Sequence, residues 1–377
     1  MPKFKSMEDI IAAHKGTVSY EDLLSKSIPH IQKILRERNE DEKITVKEMK
    51  LIYDEEQKRK KPRKSLSRWI QECISRDDII GEFYLDFMST VGIFKSALQK
   101  YIRRGDPVKA VQSAKALQMM QSSSLNRRLK VIIPEDVFTG ITLYQHVDEF
   151  PLEVTYSLAA LVKDGHCCRA FNEIKATNKY KDGCDIEWLK ANWETGDIYK
   201  VVSMLFALCE DKRMDTVEEV FAKKLKGEPA VQAIIDELKS DSKVDYHLTV
   251  VSVLRMLRTG YDRTVEIYPE PDLDVEPIEI SELDWYVFDM HTFPGRVARD
   301  LIAKDKGLSP GEVGWAWWFG EASIRKDEVR STSVFGEFVL GNEIKYKKMW
   351  GHLRELAIEK VMYSVTELFK LNIKEPD

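Results

Sequence analysis

Asp289 and His291 are the residues whose types and spacing most resemble a catalytic or metal site. On an extended strand, alternate side chains point the same way, so this carboxylate and imidazole would face one side together. Zinc and manganese sites use such ligands. The sequence offers three residues that could complete a site: His352, Glu321 and Asp300.

A structural role for the same segment is the stronger expectation. The chain has no H-E-x-x-H motif and no second histidine pair that would support a metal site. Pro294 is typical of a first helical turn, and a preceding Asp or Thr caps free backbone N–H groups there. We therefore expect Asp289 or Thr292 to cap a helix, and we expect no bound metal or other cofactor. A metal-dependent hydrolase or nuclease using Asp289 and His291 remains an alternative.

The cysteines suggest no reactive thiol. The adjacent residues His166, Cys167 and Cys168 suggest a nucleophile or a thiolate ligand. Their apolar neighbours favour a position in the core instead. The chain has five cysteines and no C-x-x-C pair. This predicts reduced cysteines in a cytoplasmic protein. The five are Cys73, Cys167, Cys168, Cys184 and Cys209.

A basic run without an acidic residue is the clearest candidate for phosphate contact. The net charge is −5 and the pI about 5.9, so nucleic-acid binding would need a local patch rather than the overall charge. We predict that this run is a phosphate-contacting arm, with a solvated linker as the alternative. Its cations are Lys58, Arg59, Lys60, Lys61, Arg63 and Lys64.

A second candidate is the aromatic segment around Trp315, Trp317, Trp318 and Phe319. Aromatic faces can stack unpaired bases. The alternative is a domain core or an oligomer interface, where tryptophan is also enriched. Positive charges lie near this segment in the sequence, at Arg296, Arg299, Arg325, Lys326 and Arg330.

The elements that must position these residues are predicted to be helices. With 18 glycines and 13 prolines in 377 residues, the chain has few breakers, which favours long helices. Apolar spacing predicts short helices over 6–14 and 19–38, then a run over 152–162, 166–178, 186–193, 198–208, 216–225, 229–238 and 246–257, and one long terminal helix. No apolar run reaches the length of a membrane span, and the N-terminus does not resemble a signal peptide.

One helical hairpin is predicted in more detail. Phe94, Ala97, Leu98, Tyr101 and Ile102 share one helical face. Gly105 suits the left-handed position that ends a helix, and Asp106-Pro107 suits the start of the next. In the second helix, Ala110, Val111, Ala114 and Leu117 form the inner face, where small residues allow close packing.

The hairpin sequence resembles a known family. Residues 96–110 read SALQKYIRRGDPVKA, similar to the S-A-x-x-K-S-I-R-G-S-D-x-x-A-A run of the RarA/MgsA clamp-loader-like ATPases, which include the Werner-helicase-interacting protein. Arg127-Arg128-Leu129 and Glu135-Asp136 lie where that family has R-R-L and E-D elements. The resemblance covers residues 83–160, with the glycine displaced by one position. No G-x-x-x-x-G-K-[ST] phosphate loop occurs in the chain, so the ATPase of that family is not expected.

The resemblance implies a role in replication-fork maintenance and recombination, and oligomerisation through the helical region. It makes Arg103, Arg104, Arg127 and Arg128 candidates for contact with DNA or a partner. The alternative is that these arginines form structural ion pairs, with Arg127 and Arg128 facing Glu135 or Asp136 across a turn.

The sequence as a whole predicts an all-α protein of packed helical hairpins, collar-like, with a smaller, mainly helical C-terminal domain. We expect a polar helical region with a basic linker over 1–64, a helical domain over 65–265, an acidic proline-rich connector over 266–284 and a tryptophan-rich domain over 285–377. The predicted function is a non-catalytic, cytoplasmic, homo-oligomeric accessory protein of DNA replication or recombination, which binds replication proteins and DNA. A purely structural interaction protein is a further alternative.

Overall fold

The computed structural model describes residues 79–161, 184–240, 245–269, 271–322 and 340–369. Within them all regular structure is helical, made of α-helices with short 3-10 and π segments, and no strand occurs in these ranges. The all-α prediction is therefore confirmed. The predicted helices over 6–14, 19–38 and 166–178 lie outside the described residues.

The first two described helices meet at the turn that the sequence predicted. Helix α1 spans Ile79–Arg104 and α2 spans Pro107–Asp136. Gly105 has a φ of 67°, the left-handed conformation that costs glycine little. The Asp106 side chain accepts a hydrogen bond of 2.9 Å from the backbone N–H of Lys109, and Pro107 occupies the first turn. The turn chemistry therefore fixes where α1 ends and α2 begins.

Helix α2 reverses at Gln121, which the sequence analysis did not predict. A straight helix of 30 residues would place its two ends about 45 Å apart. Yet the Arg103 Nε at the end of α1 lies 2.7 Å from Asp136 Oδ1 at the end of α2. Gln121 has the non-helical angles φ −160° and ψ 86°. The region is therefore three helical segments, and the last runs back toward the Gly105 turn.

The predicted inner faces of both helices are buried. Tyr101 and Ile102 in α1, and Ala110 and Val111 in α2, are completely inaccessible to solvent. Phe94, Ala97, Leu98, Ala114 and Leu117 are equally buried. The 3.6-residue period of apolar side chains thus identified the core face.

Shorter helices follow. The 3-10 segment was not predicted, and each of the α-helices lies close to its predicted position. They are a 3-10 segment Phe138–His146, then α3 Pro151–Ala160, α4 Ile186–Asn192, α5 Ile198–Glu210, α6 Met214–Leu225, α7 Pro229–Lys239 and α8 Tyr246–Thr259. Successive helices pack on one another, α5 on α6, α6 on α7 and α7 on α8, and α8 also contacts α2 and α5. Asp185, Asp197 and Asp245 cap α4, α5 and α8 by accepting backbone N–H groups.

The acidic, proline-rich segment after α8 contains no helix over 261–269 and 271–279. Its backbone is hydrogen-bonded to the helices it crosses. The Leu273 carbonyl accepts from Lys115 Nζ at 2.5 Å, and the Tyr268 N–H donates to Ser157 Oγ at 2.8 Å. The segment is thus extended, and α2 and α3 satisfy part of its backbone.

The remaining elements are two 3-10 turns, Ile280–Glu282 and Trp285–Val287, then α9 Phe293–Lys306, α10 Pro310–Trp317, a π-helical turn Trp318–Ala322 and α11 Leu340–Phe369. The long terminal helix was predicted, and its apolar stripe is buried at Trp350, Leu353, Ala357, Val361 and Val365. No described helix is long and apolar enough to cross a membrane.

Contacts group the described residues into two units that interleave along the chain. The first takes those within 1–94, 279–310 and 355–377, and the second those within 95–278 and 311–354. The sequence predicted consecutive segments instead. Two of the boundaries between the units fall within α1 and α11, so each of these helices has residues in both units.

His247, in the second unit, is half-buried, and its burial makes the stability of the fold depend on pH. The His247 ring packs on Phe206, with centroids 4.3 Å apart. Burial lowers the pKa of His247 from its usual 6.5, against the opposing effect of Asp245 and Glu210. The unfolded chain therefore binds a proton more readily than the folded protein, so stability falls as pH drops through about 6.5.

We expect the urea midpoint to decrease between about pH 7.5 and 5.5, and this decrease to be smaller in H247Q. The matched control is H352Q, because His352 is an exposed histidine of α11 and its replacement leaves His247 in place. Equal pH dependence in H247Q and the parent protein would contradict the prediction.

Candidate nucleic-acid interface

The predicted nucleic-acid residues divide into those the structure describes and those it does not. Lys58, Arg59, Lys60, Lys61, Arg63 and Lys64 lie outside the described residues. The phosphate-contacting arm therefore stays a prediction. Arg103, Arg104, Arg127 and Arg128 are all described, and they have very different surroundings.

Arg103 is buried in an ion-pair network inside the fold. Its side chain is 6% exposed, with Nε 2.7 Å from Asp136 Oδ1 and an Nη 3.4 Å from Glu135 Oε1. Gln99 Nε2 donates to the other Asp136 oxygen at 2.6 Å. The Arg103 guanidinium is therefore committed to internal carboxylates. This corrects its assignment as a DNA contact, because burial and two acidic partners keep it from a phosphate.

Arg104 belongs to a second ion-pair cluster. Its guanidinium lies 3.1 Å from Glu321 Oε1, and the two side chains are 23% and 9% exposed. Glu321 also accepts from Trp350 Nε1 at 3.3 Å and contacts Arg354 Nε at 3.4 Å. One carboxylate thus links α1, the π-helical turn and α11. Arg104 acts mainly within this cluster, which agrees with the alternative expectation that it forms a structural ion pair.

Arg127 is the exposed member of the four. Its guanidinium donates to the Ser123 carbonyl at 2.9 Å and to Ser123 Oγ at 3.1 Å, one helical turn earlier. Arg128 is half-buried and donates to Gln99 Oε1 on α1. Arg127 and Arg128 were expected to face Glu135 or Asp136. Arg103 contacts both of these carboxylates, because α2 reverses at Gln121 and returns its acidic end to the end of α1.

A lysine that the sequence analysis did not select completes this cationic surface. Lys95 on α1 is half-buried, and burial lowers its pKa, with the positive charges of Arg128 and Arg127 adding to the effect. We call Lys95, Arg127 and Arg128 the cationic face. Like charges repel one another, and a bound anion would relieve the repulsion that lowers the pKa of Lys95. A phosphate is the ligand best suited to paired guanidinium groups.

Helical spacing could have indicated only the α1 part of the cationic face. Lys95 and Gln99 are four residues apart and therefore on the same side of α1. The sequence could not show that Arg128 lies against that side, since the contact joins residues 29 positions apart.

Asp289 and His291 lie in the turn that precedes α9, which Thr292 caps. Asp289 Oδ1 accepts the backbone N–H of His291 at 2.8 Å and lies 3.2 Å from its Nδ1. Thr292 Oγ1 donates to the Asp289 carbonyl at 2.8 Å and accepts the Gly295 N–H at 3.1 Å, which starts α9. Gly295 fits because any Cβ there would collide with the Asp289 carbonyl. Of the two residues expected to cap this helix, Thr292 is the cap, and Asp289 supports the turn before it.

The metal alternative gains no support from the described residues. Among them, no group of three His, Cys, Asp or Glu side chains is arranged to hold a metal ion. Two of the suggested additional ligands are paired with arginines, Glu321 with Arg104 and Asp300 with Arg299.

The described cysteines have the environments of structural thiols. Cys209 is buried, and burial raises its pKa to about 12. Burial also raises the pKa of Cys184. Because the thiolate is the reactive form, neither is activated. Cys73, His166, Cys167 and Cys168 lie outside the described residues.

The tryptophan-rich segment divides into a buried and an exposed part. Trp317 is fully buried and stacks on Trp350, with centroids 5.5 Å apart. Trp315 is 43% exposed. Trp317 therefore has the expected core role, while Trp315 provides an accessible aromatic surface. Of the cations predicted to accompany them, Arg325, Lys326 and Arg330 are outside the described residues, while Arg296 and Arg299 contact the His291 carbonyl and Asp300.

Comparison with protein-family models, with curated proteins and with solved structures gave no match for this chain.

Proposed function

We propose that this protein is a non-catalytic accessory factor of DNA replication or recombination, in which a helical bundle binds nucleic acid through the cationic face. The observation that carries the proposal is the position of Arg127. Its side chain is exposed and is fixed by two hydrogen bonds to Ser123, and its positive charge helps to lower the pKa of Lys95. A cation held in a fixed position loses less conformational entropy when it contacts a phosphate.

Kinship with the helical region of the RarA/MgsA family is part of the proposal. It is supported by the sequence of residues 96–110 and by a helix–turn–helix at Gly105. Two of the family-like elements, Arg127-Arg128-Leu129 and Glu135-Asp136, lie on the returning segment of α2. There they contact α1 through Gln99 and Arg103. We propose that this collar-like region assembles copies of the chain, while the predicted arm over 58–64 adds phosphate contacts.

Salt dependence of DNA binding tests the cationic face. We expect K95A/R127A to bind duplex DNA more weakly, and its plot of log affinity against log salt to be shallower by about 1–2 units, because each lost phosphate contact removes roughly 0.9 of slope. Fluorescence anisotropy with a labelled duplex, measured over a series of salt concentrations, gives this slope directly.

The matched control is K223A/K226A, which removes the same charge from exposed lysines at the end of α6. It should leave the slope unchanged. Equal slopes for K95A/R127A and the parent protein would remove the cationic face from the proposal. Absence of binding to any nucleic acid at low salt would overturn the proposed function and favour a purely structural interaction protein. Sedimentation with and without DNA tests the proposed self-assembly.

A further inference from the structure

Four aromatic rings form a compact cluster at the junction of α10, the π-helical turn and α11. Trp315 stacks on Phe319, with centroids 5.9 Å apart and an interplanar angle of 30°. Phe319 in turn lies parallel to Tyr346, at 5.8 Å and 6°. Trp318 meets Trp315 edge-on at 5.8 Å. We call Trp315, Trp318, Phe319 and Tyr346 the aromatic platform.

The platform leaves one large ring open to solvent. Phe319 is 7% exposed whereas Trp315 is 43% exposed. Phe319, Trp318 and Tyr346 hold the indole in place, so ordering it on binding costs little entropy. An exposed indole fixed in this way offers a planar apolar surface that a ligand can cover.

Ring spacing limits what the platform can bind. Its centroid separations run from 4.8 Å between Trp318 and Phe319 to 6.4 Å between Trp315 and Tyr346. Rings at these distances are in contact with each other. A ligand must therefore lie against the outer face of Trp315 rather than enter a cage between the rings.

Positive charges lie on the turn of α11 that carries Tyr346. Lys345, Lys347 and Lys348 are all exposed on the same turn of α11 that provides Tyr346. Lys345 Nζ lies 5.4 Å from the centroid of the Tyr346 ring. A suitable ligand therefore combines planar apolar groups with negative charge, and these two features alternate along a nucleic-acid strand.

We propose that the aromatic platform and these three lysines form a stacking site for single-stranded nucleic acid. A base stacks on the outer face of Trp315, while adjacent phosphates contact the lysines of α11. Bases of a duplex are already stacked and paired, so the platform selects unpaired strands. An apolar protein helix would gain nothing from the lysines, and the charge favours the nucleic acid. The inference rests on the proposed function and adds strand selectivity to it.

The deciding experiment compares W315A with the full-length parent protein in binding oligothymidylate, an abasic strand of the same length, and a duplex. We expect W315A to bind oligothymidylate about 5- to 150-fold more weakly, the range for losing one stacked base. Its binding to the abasic strand should be unchanged, since that strand has no bases to stack. W315F should retain most of the affinity because it keeps an aromatic face.

The lysines are tested separately with K345A/K347A/K348A. We expect its salt slope on oligothymidylate to decrease by about 2 units, at roughly 0.7 for each phosphate contact on a single strand. The circular dichroism spectrum and the urea midpoint of each variant must match those of the parent protein. We expect this result because the replaced side chains are exposed.

The outcomes distinguish this inference from the proposed function. If W315A and the parent bind oligothymidylate equally while K95A/R127A binds duplex weakly, the platform is overturned and the proposed function stands. If W315A loses the same affinity for oligothymidylate and for the abasic strand, stacking is overturned. If the parent binds none of the three probes, both the inference and the proposed function fail, and the platform is better explained as a protein-binding surface.

Discussion

Replacing Arg103 with methionine should lower the free energy of unfolding by about 3–5 kcal/mol, the range for removing one partner of a buried ion pair. The guanidinium is buried with Asp136 and Glu135, which are 2% and 3% exposed. Without it, both carboxylates stay desolvated beside the apolar side chain. Urea denaturation of R103M and the parent protein measures this difference.

Two further variants separate the ion pair from general damage. R299A removes a partly exposed arginine that pairs with its exposed neighbour Asp300, and it should change the free energy of unfolding by only about 0–1 kcal/mol. R103M/D136L removes a buried acid together with the base, and should be more stable than the sum of the two single variants predicts. A change below about 1 kcal/mol for R103M would show that the network is not desolvated in solution.

Replacing Trp350 with alanine should cost about 3–5 kcal/mol of unfolding free energy, the usual loss for a buried tryptophan. The Trp350 ring is 4% exposed and stacks on Trp317. It also packs so closely on Gly320 that a Cβ at this glycine would collide with the indole. The indole N–H donates to Glu321 as well, so W350A removes both packing and a hydrogen bond.

W315A is the matched control, because Trp315 belongs to the same tryptophan-rich region as Trp350 but is 43% exposed. It should change the unfolding free energy by less than about 1 kcal/mol. Similar losses in W350A and W315A would contradict the assignment of one tryptophan to the core and the other to the surface. Comparing W350A with W315A therefore also tests whether Trp315 lies at the surface, as the proposed stacking site requires.

Local chemistry allowed most helix positions to be predicted. Asp106-Pro107 and Gly105 marked a helix boundary, because a capping carboxylate, a fixed proline φ and a left-handed glycine act within a few residues. The apolar spacing of Phe94 to Ile102 likewise identified a core face. The cap formed by Thr292 and the supporting turn at Asp289 were predictable for the same reason, since all their contacts lie within seven residues.

Contacts between distant residues were not predictable in this way. The sequence suggested Arg127 and Arg128 as partners of Glu135 and Asp136, since these residues lie nearby along the chain. In the structure Arg103 has that role. No strong breaker marks the reversal at Gln121; only the three serines that follow it, Ser122 to Ser124, are modest helix formers.

The sequence by itself therefore determined that the described part of this protein is helical, where most of those helices begin and end, and which of their faces are apolar. Only the tertiary structure decided which arginines are neutralised in the interior and which remain on the surface. It also decided that Trp315 is exposed while Trp317 is buried. Helix formation follows from interactions within one or two turns, whereas the charge and exposure of a side chain depend on which distant segment packs against it.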